Sequence, residues 1–161
     1  MIADACRDTP DCPVIVVAAS GRPAGARVLE YTARLALAAG ARVVVAHVPT
    51  GFHYDGSGAP DLNELRRDLE MSLAFDAKTT FDRLGVPWSL VARTGGIATV
   101  ITALAKEHDA TLIVIGAACP GAVGAMRRML RQSVPSAIIR RSASPTIVVP
   151  RDTRLVGRNP I

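Results

Sequence analysis

"TLIVIGA" (111–117) sets Leu112, Ile113, Val114 and Ile115 side by side with no polar residue among them. A strand with one wet face alternates apolar and polar side chains. A strand buried on both faces does not, and continuous burial is the habit of parallel sheets covered by helices on both sides. Four further apolar runs lie outward from it, three of them likewise continuous: "PVIVVAAS" (13–20), "ARVVVAHV" (41–48), "VPWSLVA" (86–92) and "PTIVVP" (145–150). Their content of valine and isoleucine favours extended backbone over helix.

The segments between these runs carry helical spacing. Residues 23–39 place Val28, Thr32, Leu35 and Ala39 along one stripe, and Gly40 follows as a C-terminal cap. Residues 61–84 carry Leu65, Leu69, Leu73, Ala77 and Phe81 at steps of four; Asp61 can cap that helix with Glu64 completing the box, and Gly85 ends it. Residues 97–107 offer Ile97, Val100, Ile101 and Leu104. Residues 133–141 offer Val134, Ala137 and Ile138, with Arg140 and Arg141 in the last turn, where cations complement the helix dipole.

Strand and helix thus alternate five strands deep. Short right-handed crossovers turn such a chain into an α/β fold with three layers: a doubly wound, five-stranded parallel sheet in the order 3-2-1-4-5 between helices. Residues 1–12 are expected to be a disordered leader, 13–150 one domain and 151–161 a flexible tail. "PTGFHYDGSGAP" (49–60) reads as a mobile loop.

Composition narrows the function. The chain has 161 residues, 49% of them hydrophobic, which suits one domain with a real core. The first twelve residues are polar and lack the apolar stretch of a signal peptide, and no uncharged apolar run is long enough to span a bilayer. A cytoplasmic protein without a membrane partner is expected. Net charge is +5, which favours small anions. Nucleic acid is not expected as a partner, because aromatic residues make up only 4% and are not interleaved with basic runs. Cys6, Cys12 and Cys119 have no metal spacing. Cys6 and Cys12 are close enough along the chain to close a disulfide, but free thiols in a reducing cytoplasm are the expectation. No metal is expected: His53 and Asp55 are too few for a site.

The stretch that follows 111–117 carries the chemistry. Gly116, Gly121 and Gly124 lie between the fourth strand and the last helix, with Arg127, Arg128, Arg131, Arg140 and Arg141 nearby and no Asp or Glu from Ala110 to Arg151. Glycine-rich turns at helix starts hold phosphates through backbone N–H groups. With "VVVAHV" as second strand, "ATLIVIGA" as fourth and "MRRMLRQSVPSAIIRRSASPTIVVP" as closing helix and strand, residues 13–150 resemble the universal stress protein family. The resemblance implies an adenine-nucleotide site. In the family's ATP-binding branch an acidic residue ends the first strand, a backbone position after the second strand's histidine meets adenine, and a loop of glycine, two residues, glycine, nine residues and Gly-Ser or Gly-Thr holds the phosphates.

Two of these three elements are altered here. The first strand ends Ser20-Gly21-Arg22 where the family has Asp-Gly-Ser, and a serine is a poor ligand for Mg²⁺. Counting back from Ser133, the three loop glycines fall on Cys119, Ala122 and Gln132. Gly121 and Gly124 reproduce the first half of the pattern at a shifted place. His47-Val48 is intact, with His47 expected as a packed polar residue rather than a ligand. "RTGG" (93–96) is read as a structural helix entry.

The candidate nucleotide contacts are therefore Ser20, Val48, Gly116, Gly121, Gly124, Arg127, Ser133 and Val134, with Arg22 and Arg128 available to neutralise phosphate. The resemblance further implies a homodimer paired along the last strand, 144–150. The leading reading is a dimer that binds ATP, AMP or a small anion weakly in a remodelled pocket and acts in stress response or signalling. A dimeric interaction module that has lost nucleotide binding is the alternative. An enzyme is the least favoured reading, because no acid, base or nucleophile constellation accompanies the glycines, and Cys119 has no partner motif.

Overall fold

The computed structural model describes residues 12–19, 23–49, 62–117 and 134–150. The leader read over 1–12, apart from Cys12, the loop at 49–60, apart from Pro49, and the tail at 151–161 fall outside these residues. Five strands, β1 (Val14–Ala18), β2 (Arg42–His47), β3 (Trp88–Ala92), β4 (Leu112–Gly116) and β5 (Thr146–Val149), alternate with four helices among the described residues. These are α1 (Pro23–Ala39), α2 (Leu62–Leu84), α3 (Ile97–Glu107) and α4 (Val134–Arg141). The strands form one sheet in the order β3-β2-β1-β4-β5, and every pairing is parallel. This is the order and hand of pairing expected from the apolar runs.

The continuous runs are explained by two cores. Ile15, Val17, Val43, Val45 and Val114 face one side of the sheet, where Leu29, Ala33 and Ala36 of α1 and Leu73, Ala77 and Phe81 of α2 cover them. Their chain neighbours Val14, Val16, Val44, Ala46, Ile113 and Ile115 face the other side, under Val100, Ile101 and Leu104 of α3 and Ile138 of α4. Successive strand residues point to opposite faces, so a sheet with two dry faces needs an unbroken apolar sequence. Burying each such side chain contributes about 1.5–3 kcal/mol.

β3 lies at a sheet edge and is only partly buried. Trp88 secures it: the indole N–H donates to Asp82 Oδ1 at 2.8 Å, and the ring lies 6.0 Å from that of Phe81. On α1 the buried face differs from the stripe expected. Val28 and Thr32 are buried, but Leu29, Ala33 and Ala36 complete the face while Ala39 is exposed. At about 100° per residue, Leu29, Ala33 and Ala36 lie about 80–140° round the helix from Val28, so the helix is rolled and its buried face is centred to one side of the expected stripe. Thr32 is accommodated by donating its hydroxyl to Val28 O at 2.7 Å.

Three helices end in the same way. Ala41, Val86 and Ala110 N–H groups reach back to Ala36, Phe81 and Ala105 carbonyls, around Gly40, Gly85 and Asp109 in the left-handed region. At the N-terminal edge of the sheet, Pro13 O accepts from Arg42 N–H at 3.0 Å. The expectation of free thiols fails at Cys12, which is disulfide-bonded. Its Sγ lies 3.6 Å from Pro13 O and 3.7 Å from Gly40 O; a bonded sulfur carries no proton, so these are contacts and not hydrogen bonds. No helix among the described residues is long and apolar enough to cross a membrane.

Candidate functional site

From β1 the chain winds one way, through α1 to β2; from β3 it crosses through α3 to β4 on the other side of β1. The order of strands therefore reverses between β1 and β4. The connections leaving these two strands diverge to opposite faces, since α1 covers one core and α4 the other. A crevice at the C-terminal edge follows from this topology, and it is where ligands of open parallel sheets bind.

Three of the residues singled out in the sequence fall within the described part of that edge. Gly116 ends β4, paired with Val149 of β5. A Cβ at Gly116 would stand 3.1 Å from Val28 Cγ2 of α1, tighter than ordinary van der Waals contact, so the absence of a side chain lets α1 lie close against the end of β4. Val48 is the first residue past β2. The sheet's last bonds there run from Ala19 N–H to Ala46 O (3.4 Å) and from Arg93 N–H to His47 O (3.0 Å), which leaves Val48 beyond the final rung. Val134 opens α4. Val48 and Val134 are both partly buried and pack, with Ala18, against the core beneath α3 and α4. The structure thus brings Val48 and Val134 to one core and Gly116 to the opposite face. Ser20, Gly121, Gly124, Arg127 and Ser133 lie outside the described residues, as do Arg22 and Arg128. His47 is buried, 6% exposed, in agreement with a packed residue. Among the described residues no group of three or more His, Cys, Asp or Glu side chains could hold a metal ion.

Sequence reading passed over one feature of this edge. Arg93, the first residue after β3, makes a two-pronged ion pair with Glu107 at the end of α3, Nη1 to Oε2 at 2.7 Å and Nη2 to Oε1 at 3.0 Å. Hydrogen bonds from Arg93 hold the Glu107 carboxyl below its ordinary range, against the opposing effect of desolvation. The same pairing raises Arg93. Both groups are open to solvent, so the pair is screened and its energy modest. It bridges the span occupied by "RTGG", where Gly95 has φ +140° and a Cβ would meet Val100 Cγ2 at 3.2 Å. Gly96 then caps α3 with extended backbone and no side-chain hydrogen bond. Gly95 is required by conformation and by space, which makes the structural reading of this turn the right one.

The profile of the universal stress protein family matches residues 13–150. No curated protein matches. Solved structures share the fold. A universal stress protein in complex with cAMP is 20% identical with a TM-score of 0.63, covering 88% of this chain and 98% of its own. One from Archaeoglobus fulgidus in complex with dAMP is 22% identical, TM-score 0.60, covering 87% and 98%. A protein of the universal stress protein family from Burkholderia pseudomallei is 26% identical, TM-score 0.62, covering 85% and 95%.

Gly116→Ala is expected to destabilise the fold by about 1–3 kcal/mol through overpacking. Combined with Val28→Ala, which opens the space, it should cost less than the sum of the two single changes by about 0.5 kcal/mol or more. Urea unfolding followed by the fluorescence of Trp88, the chain's one tryptophan, measures the cycle; strict additivity would show that the two positions do not press on each other.

The ion pair predicts a pH dependence of definite sign. Because the folded-state pKa of Glu107 is lowered, its contribution is present above the unfolded carboxylate value and disappears as pH falls through the lowered one. Arg93→Gln should therefore move the Glu107 carboxyl resonance midpoint upward in an NMR titration. The stability gap between wild type and variant should close in acid and shrink in high salt; an unmoved midpoint would mean that the pair does not form in solution.

Proposed function

The chain belongs to the universal stress protein family, and from that premise we propose that it binds an adenine nucleotide, ATP or AMP, or a small anion, weakly and without a metal, in the crevice between β1 and β4. The observation that carries this reading is that structures with the same fold hold cAMP and dAMP, while this chain keeps the strand-end elements such a ligand needs. Gly116 gives close backbone approach at β4, and Val48 offers backbone groups past the last rung of β2. Val134 opens α4, and Ser133 precedes it in the sequence; a hydroxyl and N–H groups at a helix start suit an anion.

The departures from the family pattern set the strength and the metal requirement. Ser20 puts a neutral hydroxyl where a carboxylate would bind Mg²⁺. Arg22, Arg127 and Arg128 supply positive charge in its place, and Gln132 adds a side chain where close approach is needed. Gly121 and Gly124 serve a displaced loop better suited to phosphate or a small carboxylate than to a triphosphate. The same departures favour a second reading, a cytoplasmic interaction module that has given up nucleotide binding. In the first reading the protein acts in stress response or signalling, and an enzyme using the remodelled pocket is the least favoured reading.

Both readings include a homodimer through 144–150. β5 is a sheet edge of four residues, and its outer side has no strand beside it among the described residues. Val148 is 36% exposed, and Ile139 of the neighbouring α4 is 57% exposed. An apolar edge of this kind needs a cover or a partner, and Pro145 and Pro150 limit the pairing to the residues between them.

Isothermal titration is expected to give an ATP or AMP Kd of about 0.1 mM or weaker, roughly 5 kcal/mol of binding, unchanged by EDTA. Ser20→Asp with Gln132→Gly should strengthen Mg-ATP binding about tenfold or more, which is about 1.4 kcal/mol. Tight, EDTA-sensitive binding by the wild type would overturn the proposal, and no heat with any adenine nucleotide or phosphate would select the interaction-module reading.

Light scattering at micromolar concentration should report a dimer. Val148→Lys should shift it toward monomer while leaving the Trp88 unfolding signal cooperative. A wild-type monomer across that range would remove the edge pairing from the account.

A further inference from the structure

The outer face of α2 carries a feature that neither the crevice nor the β5 edge uses. Leu73, Ala77 and Phe81 are buried and turn toward the sheet. Met71 and Phe75 are 64% and 70% exposed. At about 100° per residue they are centred about 140° round the helix from that buried face. Four residues apart, they are neighbours on the surface. Single exposed apolar side chains are ordinary, but two large ones side by side on a charged helix make a patch. Charges flank it evenly: Asp68 stands three residues before Met71 and Lys78 three residues after Phe75, and both are exposed. Lys78 pairs with Asp82 at 2.7 Å, yet its side chain is 71% open to solvent, so that pair is screened and readily exchanged. The patch lies away from β5. α2 meets β3, at the opposite edge of the sheet, through the Phe81 and Trp88 rings.

We infer that this face docks against the same face of a second copy, the two α2 helices running antiparallel about a two-fold axis level with Leu73. In that register Met71 faces the partner's Phe75 and Asp68 faces the partner's Lys78, and the symmetry repeats both pairs. The pattern is self-complementary, as a two-fold contact requires. A partner of another sequence would need no such symmetry about Leu73. The centre holds two Met–Phe pairs, whose sulfur–ring contacts are favourable. The rim holds two ion pairs, which fix register and direction. Arg67 faces the partner's Thr79, so no like charges meet among the described side chains of this face. A parallel pairing in register would set each charge against its own copy, which disfavours it. Antiparallel helices also bring opposite dipole ends together. The surface is small for an interface, so the contact is transient and acts at high local concentration.

The test uses full-length Val148→Lys protein as its background, so that pairing along β5 does not enter the reading. Sedimentation equilibrium up to about 1 mM protein should show a monomer–dimer exchange with a Kd of about 0.1–1 mM. In that background Phe75→Ser should weaken association about tenfold or more, with Met71→Ser as a second probe of the centre. Asp68→Lys and Lys78→Asp should each weaken it about fivefold, and the two exchanged together should restore it. Restoration separates a contact between copies from an effect inside one helix, because the double exchange leaves Asp82 four residues from a like charge and repairs nothing within the chain. Cooperative unfolding followed by Trp88 fluorescence confirms the fold of each variant. The inference is overturned if the background protein stays monomeric up to about 1 mM, which would leave the patch to another occupant. It is equally overturned if Phe75→Ser and Met71→Ser associate as the background does, or if the double exchange fails to restore what the single ones lose.

Discussion

Each strand of this sheet must satisfy two dry layers at once, and the rest of the molecule follows from that demand. Val14 through Val17 are all buried, yet alternate members serve different cores. Two dry faces require helices on both sides, helices on both sides require crossovers, and crossovers of one hand give parallel strands. The same demand excludes charges from β1, β2 and β4 except at their ends, as Arg42 and His47 show. Polar chemistry is thereby confined to the two sheet edges.

The reversal of strand order then makes one edge unlike the other. At the C-terminal edge β1 leads to α1 on one face and β4 to α4 on the other, the arrangement beside which ligands of open parallel sheets bind. Gly116 lets α1 lie close to the end of β4, with Val28 within 3.1 Å of where its Cβ would be. Arg93 and Glu107 secure the neighbouring crossover. At the N-terminal edge no such parting occurs: helices arrive there through tight caps around Gly40, Gly85 and Asp109. Cys12 sits against the first of these.

What could be read from the sequence follows the same division. The strands were legible because burial on both faces leaves an unambiguous run, and the bounds of 23–39 and 97–107 were legible because their periodicity meets glycine or a polar turn. The buried face of α1 was misjudged, since Leu29, Ala33 and Ala36 are small or plain apolar residues whose burial depends on how the helix rolls on the sheet. Asp109 in the left-handed region had no sequence signal, because the position is one that glycine or asparagine usually takes. The Arg93–Glu107 pair joins residues fourteen apart across a loop, a separation that no helical or strand period reports. Cys12 was misread for a different reason: compartment arguments speak to the average thiol and not to a particular one. At the crevice, Gly116 was recognisable as a strand-end glycine, but that it presses on Val28 depends on the placement of α1.

The two edges are joined most directly by β1, with Cys12 two residues before it and Ser20 two residues after. A signal passing from one to the other would need the strand to have two arrangements. β1 is the middle strand of five, paired on both sides in continuous register and buried on both faces. Sliding it by one residue would turn Ile15 and Val17 into the core now filled by Val14 and Val16, at the cost of both packings. Close-packed interiors resist such half-steps. The sheet therefore insulates its edges from each other. Chemistry at the two ends should combine additively, as it does for sites far apart that share no movable element.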